Sequence, residues 1–318
     1  MNALEIEQLE LTLPGTGRPV LDKVDLSIAA GETVALVGES GSGKTLTART
    51  ALRLLPNGAI TAGSVRVAGR DVLQMDSKAL RELRGGTAAM IFQEPRAAIN
   101  PLRRVGDFLT EGVRASGKYT RRQAAGRAAQ MLTAVGLTGA VACQFPAALS
   151  GGMLQRVMIA ATLMGDPKLL LADEPTTALD VTTQAEVVAL LGDVKERFGT
   201  GLLFVTHDLA LASAISDRVY VMYAGRITET GTSAELFERP RHPYTRALLS
   251  STPRLDSPHA RLNAIQGQPP SLATALTGCA FAPRCAAATA ICLEHAPAAR
   301  PVAGQPAHMV ACHHSEAR

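Results

Sequence analysis

The chain has 318 residues, 47% of them hydrophobic, so it is long enough to bury a substantial core in two or more structural units. Its formal net charge is only +4, which argues against nucleic acid as a partner. The sequence has no apolar run of about 18 residues and no basic, apolar signal pattern near its first residues. We therefore expect a cytosolic protein whose membrane contacts come through partners.

Short β-strands are predicted at the start of the chain. Apolar alternation favours strands at 3–13 and 20–28, and the run TVALV at 33–37 is typical of a buried parallel strand. The segment that follows, GESGSGKT, matches the pattern G-x-x-x-x-G-K-[ST] in full. The candidate phosphate-binding residues are Gly38, Glu39, Ser40, Gly41, Ser42, Gly43, Lys44 and Thr45.

Each residue type in this loop suits a phosphate. The glycines let the backbone turn tightly and aim several N–H groups at one point, and a helix that begins near Lys44 adds its positive N-terminal end. Lys44 supplies a full charge for the β- and γ-phosphates, and the Thr45 hydroxyl is a hard oxygen ligand for Mg²⁺. The alternative is a glycine–serine surface turn, which the strand before the loop and the helical pattern after it disfavour.

Two further apolar strands end in polar side chains. The run KLLLADE at 168–174 finishes in Asp173 and Glu174, whose mutual repulsion a nearby metal would relieve. Asp173 is the candidate Mg²⁺ partner and Glu174 the candidate general base for an attacking water, the alternative being an acidic strand-to-loop junction. LLFVT at 202–206 precedes His207, which either bonds a γ-phosphate or the attacking water, or is structural or solvated.

Helical patterns such as Arg121–Leu137 dominate 94–164. Within that range, LSGGMLQ at 149–155 resembles the signature motif of ABC transporter ATPases, and residues 1–235 resemble that ATPase domain from end to end. The resemblance implies an α/β fold: a P-loop NTPase core with an antiparallel β subdomain, a helical subdomain at about 94–164 and a loop-rich C-terminal extension at 236–318.

The same resemblance assigns roles to single residues, with ATP and Mg²⁺ as cofactors. The implied catalytic residues are Glu174, His207 and Gln93. The implied Mg²⁺ ligands are Thr45, Gln93 and Asp173. The further implied ATP contacts are Ser150, Gly151, Gly152, Gln155 and Asp180. Gln93 stands at the entry to the helical subdomain, which in this family meets the permease, and this place suits a relay of the nucleotide state.

Family ATPases dimerise head to tail, so the signature segment of one subunit closes over the ATP held by the phosphate loop of the other. The sequence agrees, because Ser150 is a good helix N-cap and apolar residues recur at helical spacing behind it. A second helix N-terminus is then available to face a phosphate. The alternative is an ordinary Ser-Gly-Gly helix start.

Longer segments of the sequence point to one group within this family. FQEP at 92–95, INPL at 99–102, DEPTTALDV at 173–181 and HPYTRALL at 242–249 resemble the dipeptide/oligopeptide/nickel importer group. This resemblance implies a second, related ATPase subunit in a heterodimer, two membrane permeases and an extracytoplasmic substrate-binding protein. The chain would lie peripherally at the cytoplasmic face of the membrane. Short peptides are the expected cargo, with nickel, metal chelates or glutathione as the alternative.

A different class is the non-transport ABC ATPase, a translation or DNA-repair factor. ABC proteins of translation usually carry two ATPase domains, and those of DNA repair insert a long coiled coil between Gln93 and the signature. This sequence has neither pattern. A cysteine-rich metal sensor is a third class, but a sensor would not need a complete set of hydrolysis residues.

One position departs from the family pattern. Family members usually stack adenine on an aromatic residue near the N-terminus, and this chain has no aromatic residue before Phe92. Leu13 occupies the expected position. Since the aromatic stacking increment of about 0.5–1.5 kcal/mol would be absent, we expect weaker base discrimination rather than lost activity.

The composition changes after about residue 236, where prolines concentrate and lysine is absent. We expect this extension to bury little apolar surface unaided and to stand apart from the ATP site. Its cysteines follow the pattern C-x5-C-x6-C-x19-C at Cys279, Cys285, Cys292 and Cys312. A 4Fe–4S cluster, a zinc ion and four free thiols are the three alternatives. The nearby histidines are expected to be solvated, with His313 a substitute ligand, and Cys143 to be a small buried hydrophobe.

Overall fold

The computed structural model describes residues 1–177, 179–251, 265–272 and 275–315. Its strands, β1 to β12 in chain order, are Asn2–Thr12, Leu21–Ala29, Thr33–Val37, Ile60–Val67, Arg70–Asp71, Ala88–Ile91, Leu169–Asp173, Gly201–Thr206, Arg218–Tyr223, Arg226–Thr232, Arg300–Val302 and Gln305–Val310. Its α-helices, α1 to α11, are Lys44–Thr50, Ser77–Glu82, Pro95–Ala98, Val105–Ala115, Arg121–Ala134, Gly151–Leu163, Val181–Phe198, Leu209–Ile215, Ser233–Glu238, Pro243–Ser250 and Ala290–Glu294. Shorter 3₁₀ helices are Gly139–Cys143, Pro146–Ala148 and Ala282–Arg284, and Leu83–Thr87 forms a π-helical turn.

The central sheet has the strand order β11-β12-β10-β9-β3-β8-β7-β6. Strands β6, β7, β8, β3 and β9 are parallel, whereas β10, β12 and β11 pair in antiparallel fashion. Every residue of β3, β7 and β8 is buried, as expected for parallel strands covered on both faces. Val37 pairs with Thr206 and Asp173 with Val205, so the carboxyl ends of these three strands lie at one edge. The predicted α/β core is confirmed.

A second, antiparallel sheet covers one face of the first. Its order is β2-β1-β4-β5, and buried residues alternate with exposed ones along much of β2. Buried side chains of this sheet, such as Leu4 and Leu26, share one apolar core with Val34 and Leu36 of β3. The antiparallel β subdomain expected from the sequence is therefore present.

Helices α4, α5 and α6 form a helical unit between β6 and β7. Thr120 begins α5 with a capping box, in which its side chain bonds the N–H of Gln123 and the Gln123 side chain bonds back. Leu109, Leu132 and Val157 pack in a second apolar core that reaches the other face of the central sheet. In the described ranges, no helix has the length and apolar character needed to cross a membrane.

The C-terminal extension joins the central sheet instead of standing apart from it. Strand β12 pairs with β10 through Glu229–Val310 and Thr230–Met309, and β11 adds to β12. Tyr244 and Phe281 pack against Tyr223 of β9, with ring centroids 4.6 Å and 5.3 Å from the Tyr223 ring. The extension thus buries its apolar side chains on surface that the core supplies, which the local composition could not indicate.

Two expectations for single residues are wrong. His308 is not solvated but fully buried, with its Nε2 2.8 Å from Oε1 of the equally buried Glu229. Strand pairing places it there, because β12 lies against β10. Cys143 is exposed instead of buried, since the 3₁₀ helix that contains it buries Val141.

Candidate functional site

The phosphate-binding loop, residues 38–45, connects β3 to α1 and needs glycine at two positions. Gly38 has φ 156°, and a Cβ there would lie 2.2 Å from the carbonyl oxygen of Met222. Gly43 has φ 109°, and its Cβ would meet a methyl group of Leu21 at 2.7 Å. The loop can therefore keep its course beside β9 and β2 only with glycine at these positions.

Lys44 is almost enclosed by its own loop. Its Nζ donates to the carbonyl oxygens of Gly38 at 2.8 Å and Glu39 at 2.9 Å, and the residue is 5% exposed. Burial lowers the pKa of Lys44, and the carboxylates of Glu174, Asp173 and Glu39 oppose that shift. The cation is thus fixed at the first turn of α1, where an anionic ligand would replace carbonyl oxygens as its partner.

Thr45 and Asp173 form a ready ligand pair for a hard cation. The Thr45 hydroxyl donates to Oδ1 of Asp173 at 2.8 Å, across from α1 to the end of β7. The other oxygen, Oδ2, is buried and has no hydrogen-bond partner in the described parts of the chain. Burial raises the pKa of Asp173, although the bond from Thr45 lowers it. An orphaned buried carboxylate oxygen beside a hydroxyl fits Mg²⁺.

Three side chains converge on Glu174. Gln93 Nε2 donates to Oε2 at 3.1 Å, the Thr177 hydroxyl donates to the same oxygen at 3.0 Å, and His207 Nδ1 lies 3.3 Å from Oε1. The backbone of Glu174 has φ 46°, in the left-handed region, and its N–H donates to the Val205 carbonyl at 2.9 Å. These hydrogen bonds hold the carboxylate at the sheet edge and offset the cost of the left-handed backbone. Thr177 was not identified from the sequence, although it lies only three residues after Glu174.

A cavity of about 640 Å³ joins these groups. Its lining residues are Leu13, Val20, Ser40, Gly41, Gly43, Lys44, Thr45, Leu46, Gln93, Glu174, Thr177, His207 and Leu272. The lining combines polar groups that suit phosphates and a cation with the aliphatic side chains of Leu13, Val20 and Leu272. The cavity therefore offers what a nucleotide requires.

The remaining predicted contacts lie elsewhere on the described surface. Ser150 caps α6 by accepting from the Met153 N–H at 3.2 Å, and Asp180 caps α7 by accepting from the Thr183 N–H at 3.0 Å. The bonds from Thr183 lower the pKa of Asp180. Ser150 and Asp180 are both exposed, and so is Gly151. None of them lines the cavity around Lys44.

Gly152 and Gln155 differ from their exposed neighbours. A Cβ on Gly152 would lie 2.7 Å from a methyl group of Thr183, so α6 and α7 begin in close contact. Gln155 is 1% exposed, and within the described chain its Nε2 is buried without a hydrogen-bond partner. Among the predicted contacts outside the cavity (Ser150, Gly151, Gly152, Gln155 and Asp180), Gln155 is thus the one that is buried in the interior.

The C-terminal extension touches the phosphate-binding loop, contrary to the expectation that it stands apart. Both terminal nitrogens of Arg284 reach the Glu39 carboxylate, at 2.7 Å and 3.0 Å. The Tyr244 hydroxyl accepts a hydrogen bond from the Glu39 N–H at 2.8 Å. The contact arises because Tyr244 and Phe281 pack against Tyr223 of β9, the strand that pairs with β3, and β3 leads directly into the loop.

The four cysteines of the extension share one small unit. The Cys279 N–H donates to the Cys292 carbonyl at 2.8 Å, and the His314 N–H donates to Cys312 Sγ at 3.3 Å. Burial raises the pKa of the thiols of Cys279, Cys285 and Cys312, and neighbouring thiols add to the rise. Across the described ranges, no three His, Cys, Asp or Glu side chains are arranged to hold one metal ion.

Known families match both parts of the chain. Residues 21–177 match the ABC transporter family, and residues 228–292 match the C-terminal region of oligopeptide/dipeptide transporters. The probable D,D-dipeptide transport ATP-binding protein DdpD of Escherichia coli (strain K12) is 46% identical, over 93% of this chain and 92% of its own length. The oligopeptide transport ATP-binding protein AppD of Bacillus subtilis (strain 168) is 44% identical, over 88% of this chain and 86% of its own.

Solved structures share the fold. The structure of cbiO1 from Clostridium perfringens, part of the ABC transporter complex cbiONQ, matches with a TM-score of 0.66 at 25% identity, covering 75% of this chain and 91% of that one. The ATP-binding cassette MJ0796, a dimer in a post-hydrolysis state bound to ADP and Pi, matches with a TM-score of 0.63 at 26% identity, over 72% of this chain and 98% of its own.

Proposed function

Because this chain belongs to the ABC transporter ATP-binding family, we propose that it drives the uptake of dipeptides or oligopeptides through partner permeases. As a member of this family it is an ATPase that uses ATP and Mg²⁺. The peptide proposal rests on one observation, the contact between the ATP-site cavity and the C-terminal region. A cavity with a complete set of hydrolysis groups is bonded to a C-terminal region of the oligopeptide/dipeptide transporter type.

Mg²⁺ would be held by Thr45 and Asp173, with Gln93 as a third ligand. The buried and unpartnered Oδ2 of Asp173 supports this assignment, as does the hydroxyl of Thr45 beside it. When bound, the cation supplies positive charge that polarises phosphate oxygens. Lys44 and the N–H groups of the loop add positive charge at the same place.

Glu174 would act as the general base that takes a proton from the attacking water. Gln93, Thr177 and His207 orient its carboxylate through the contacts described above. His207 is 64% exposed in its side chain, so it is accessible to a bound phosphate or to the water. Glu174 would thus accept the proton, and the other three side chains would orient its carboxylate.

A second ATPase subunit would complete the site. Ser150, Gly151 and Asp180 are exposed at two adjoining helix N-termini, yet they lie outside the cavity of their own chain. A helix N-terminus of this kind binds phosphate. We assign Ser150, Gly151, Gly152 and Asp180 to the ATP held by the opposite subunit, which in the importer group is a related but different chain. Gln155 would support α6 from inside.

The assembly would place the chain on the cytoplasmic face of the membrane, bound to two permeases that an extracytoplasmic binding protein supplies with peptide. Relatives named for D,D-dipeptide, peptide and oligopeptide transport support this cargo over nickel, metal chelates or glutathione. The binding protein and permeases select the cargo, so the test must include them. ATP hydrolysis by the assembled transporter should rise with added dipeptide or oligopeptide. A rise with nickel or glutathione alone would contradict the peptide proposal.

The cysteine unit would hold a 4Fe–4S cluster. Burial raises the pKa of Cys279, Cys285 and Cys312, which favours their thiol forms while no metal is bound. The support for a cluster is the sequence: four thiols are the usual ligand set of a 4Fe–4S cluster, and their C-x5-C-x6-C-x19-C spacing does not match the C-x2–4-C pairs of common zinc sites. Anaerobic purification should give about four iron atoms and matching sulfide per chain. Stoichiometric zinc, or neither metal, would contradict the cluster.

A further inference from the structure

Arg284 is a buried cation of the C-terminal extension that meets the phosphate-binding loop. Its side chain is 5% exposed, and two of its nitrogens bind the two carboxylate oxygens of Glu39 at 2.7 Å and 3.0 Å. Its other bonds go to the carbonyls of Gln266 and Ile265 and to the Tyr223 hydroxyl. Together these partners hold the guanidinium in one place. Its two contacts with Glu39 give the ion pair the bidentate geometry of a strong arginine–carboxylate contact.

Glu39 in turn connects to Lys44 of the phosphate-binding loop. Its N–H donates to the Tyr244 hydroxyl at 2.8 Å, and its carbonyl accepts from Lys44 Nζ at 2.9 Å. The extension therefore holds Glu39 twice, by side chain and by backbone, and Glu39 holds Lys44. A local sequence pattern could not predict the contact between Glu39 and Arg284, because these residues are 245 positions apart in the chain.

The charge of Glu39 matters for the ligand of this loop. A carboxylate next to a phosphate-binding site repels phosphate unless a cation compensates it. We propose that Arg284 is a positioning residue for nucleotide binding: it neutralises Glu39 and fixes the loop, so ATP affinity depends on the C-terminal extension. This inference rests on ATP binding by the chain and not on the identity of the transported cargo.

The first test replaces Arg284 in the 318-residue chain and measures the Kd of a fluorescent ATP analogue. Arg284→Gln removes the charge and should weaken ATP binding about tenfold. Arg284→Lys keeps the charge without the bidentate contact, so its ATP affinity should lie between those of the wild type and Arg284→Gln. Arg300→Gln is the control, because Arg300 is exposed on β11 of the same extension. It should bind ATP like the wild type.

The second test distinguishes charge compensation from a packing role. Adding Glu39→Gln to Arg284→Gln removes the uncompensated charge, so the double variant should recover most of the lost affinity. The loss in Arg284→Gln should also be larger for ATP than for ADP, because ATP carries more charge. Wild-type affinity in Arg284→Gln, or a double variant that binds no tighter than Arg284→Gln, overturns the inference. A wild type that does not bind ATP overturns the proposed function as well.

Leu272 carries a second, independent inference at the apolar part of the same cavity. It lines the cavity beside Leu13 and Val20, and its carbonyl accepts from the Gly17 N–H at 3.1 Å. Arg18 also bonds the backbone just before it, at the Ser271 carbonyl. The segment is thus tied to the loop between β1 and β2. We infer that Leu272 and Leu13 form an aliphatic wall that packs against the base of the bound nucleotide.

Leu272→Ser should weaken ATP and ADP binding equally, by about fivefold, because one apolar contact is lost. It should leave competition by inorganic tripolyphosphate unchanged, since that ligand has no base, whereas Arg284→Gln should weaken it. Leu293→Ser is the control, at an exposed leucine of α11 that is 58% exposed. Unchanged ATP affinity in Leu272→Ser, or an equal loss for tripolyphosphate, overturns this inference.

Discussion

Glu174 receives contacts from three side chains that come from three separate segments, and its left-handed backbone aims it at the cavity. Glu174→Gln keeps the volume and one acceptor oxygen but cannot take a proton. We expect ATP binding to persist while turnover falls by about 10²–10⁴-fold. Single-turnover hydrolysis in the assembled transporter measures this, with Glu196→Gln as an exposed control on α7. Near-normal hydrolysis in Glu174→Gln would show that another group is the base.

His242 gives the residue-scale prediction for pH. Burial lowers the pKa of His242 from 6.5 to about 4, so the folded protein holds it neutral. The unfolded chain binds a proton below about pH 6.5, and stability is therefore lost as the pH falls from 6.5 towards 4. His242→Asn keeps an acceptor for the Tyr244 N–H and removes the titration. Between pH 7 and 5, the free energy of unfolding should fall by about 2 kcal/mol less in the variant. Equal pH dependence would contradict this.

At the scale of elements, the junction of β10 and β12 fastens the extension to the core. The Glu229–His308 pair lies in it with no exposure, and although burial opposes the shift, hydrogen bonds led by that from His308 lower the pKa of Glu229. His308→Ala would remove one donor from a buried carboxylate that still accepts from the N–H groups of Arg241 and His242. The free energy of unfolding should then drop by about 1.5–3 kcal/mol, the range for a hydrogen bond to a charged group.

Chemical denaturation of the His308 variants tests this junction. His308→Gln retains a donor and should lose less stability than His308→Ala. His295→Ala is the exposed control in the same extension and should change stability little. If His308→Ala is as stable as His295→Ala, the pair does not fasten β12 to β10.

The elements that build the cavity could be predicted, because each has a local signal. Strands β3, β7 and β8 are short continuous apolar runs, and the phosphate loop has a fixed glycine and lysine pattern. No comparable local pattern predicted where the C-terminal extension packs. Strands β11 and β12 contain Pro301 and Pro306, which local patterns exclude from strands, and their stability depends on β10. The Arg284–Glu39 pair could not be predicted either, because it also depends on how the extension packs against the core.

At the scale of the whole molecule, the chain has two candidate phosphate-binding features, the loop at 38–45 and the start of α6, and only the first lines the cavity around Lys44. Ser150→Arg places a bulky cation at the exposed start of α6. We expect the variant to bind ATP at its own phosphate loop but to block hydrolysis of the ATP that a partner subunit holds. A photoreactive ATP analogue, mixed with variant and wild-type partner, reports which chain each nucleotide contacts. Ser77→Arg, at the exposed start of α2, is the control. Contact of α6 only with ATP of its own chain would refute the two-subunit site.

The most direct measurement of the central claim is peptide uptake. Proteoliposomes would contain the permeases, the partner ATPase and this chain, with the binding protein and a radiolabelled dipeptide on the opposite side of the membrane. The account predicts ATP-dependent accumulation of the dipeptide that stops with Glu174→Gln and continues with Glu196→Gln. ATP hydrolysis without any accumulation of dipeptide or oligopeptide, or accumulation that Glu174→Gln leaves unchanged, would contradict it.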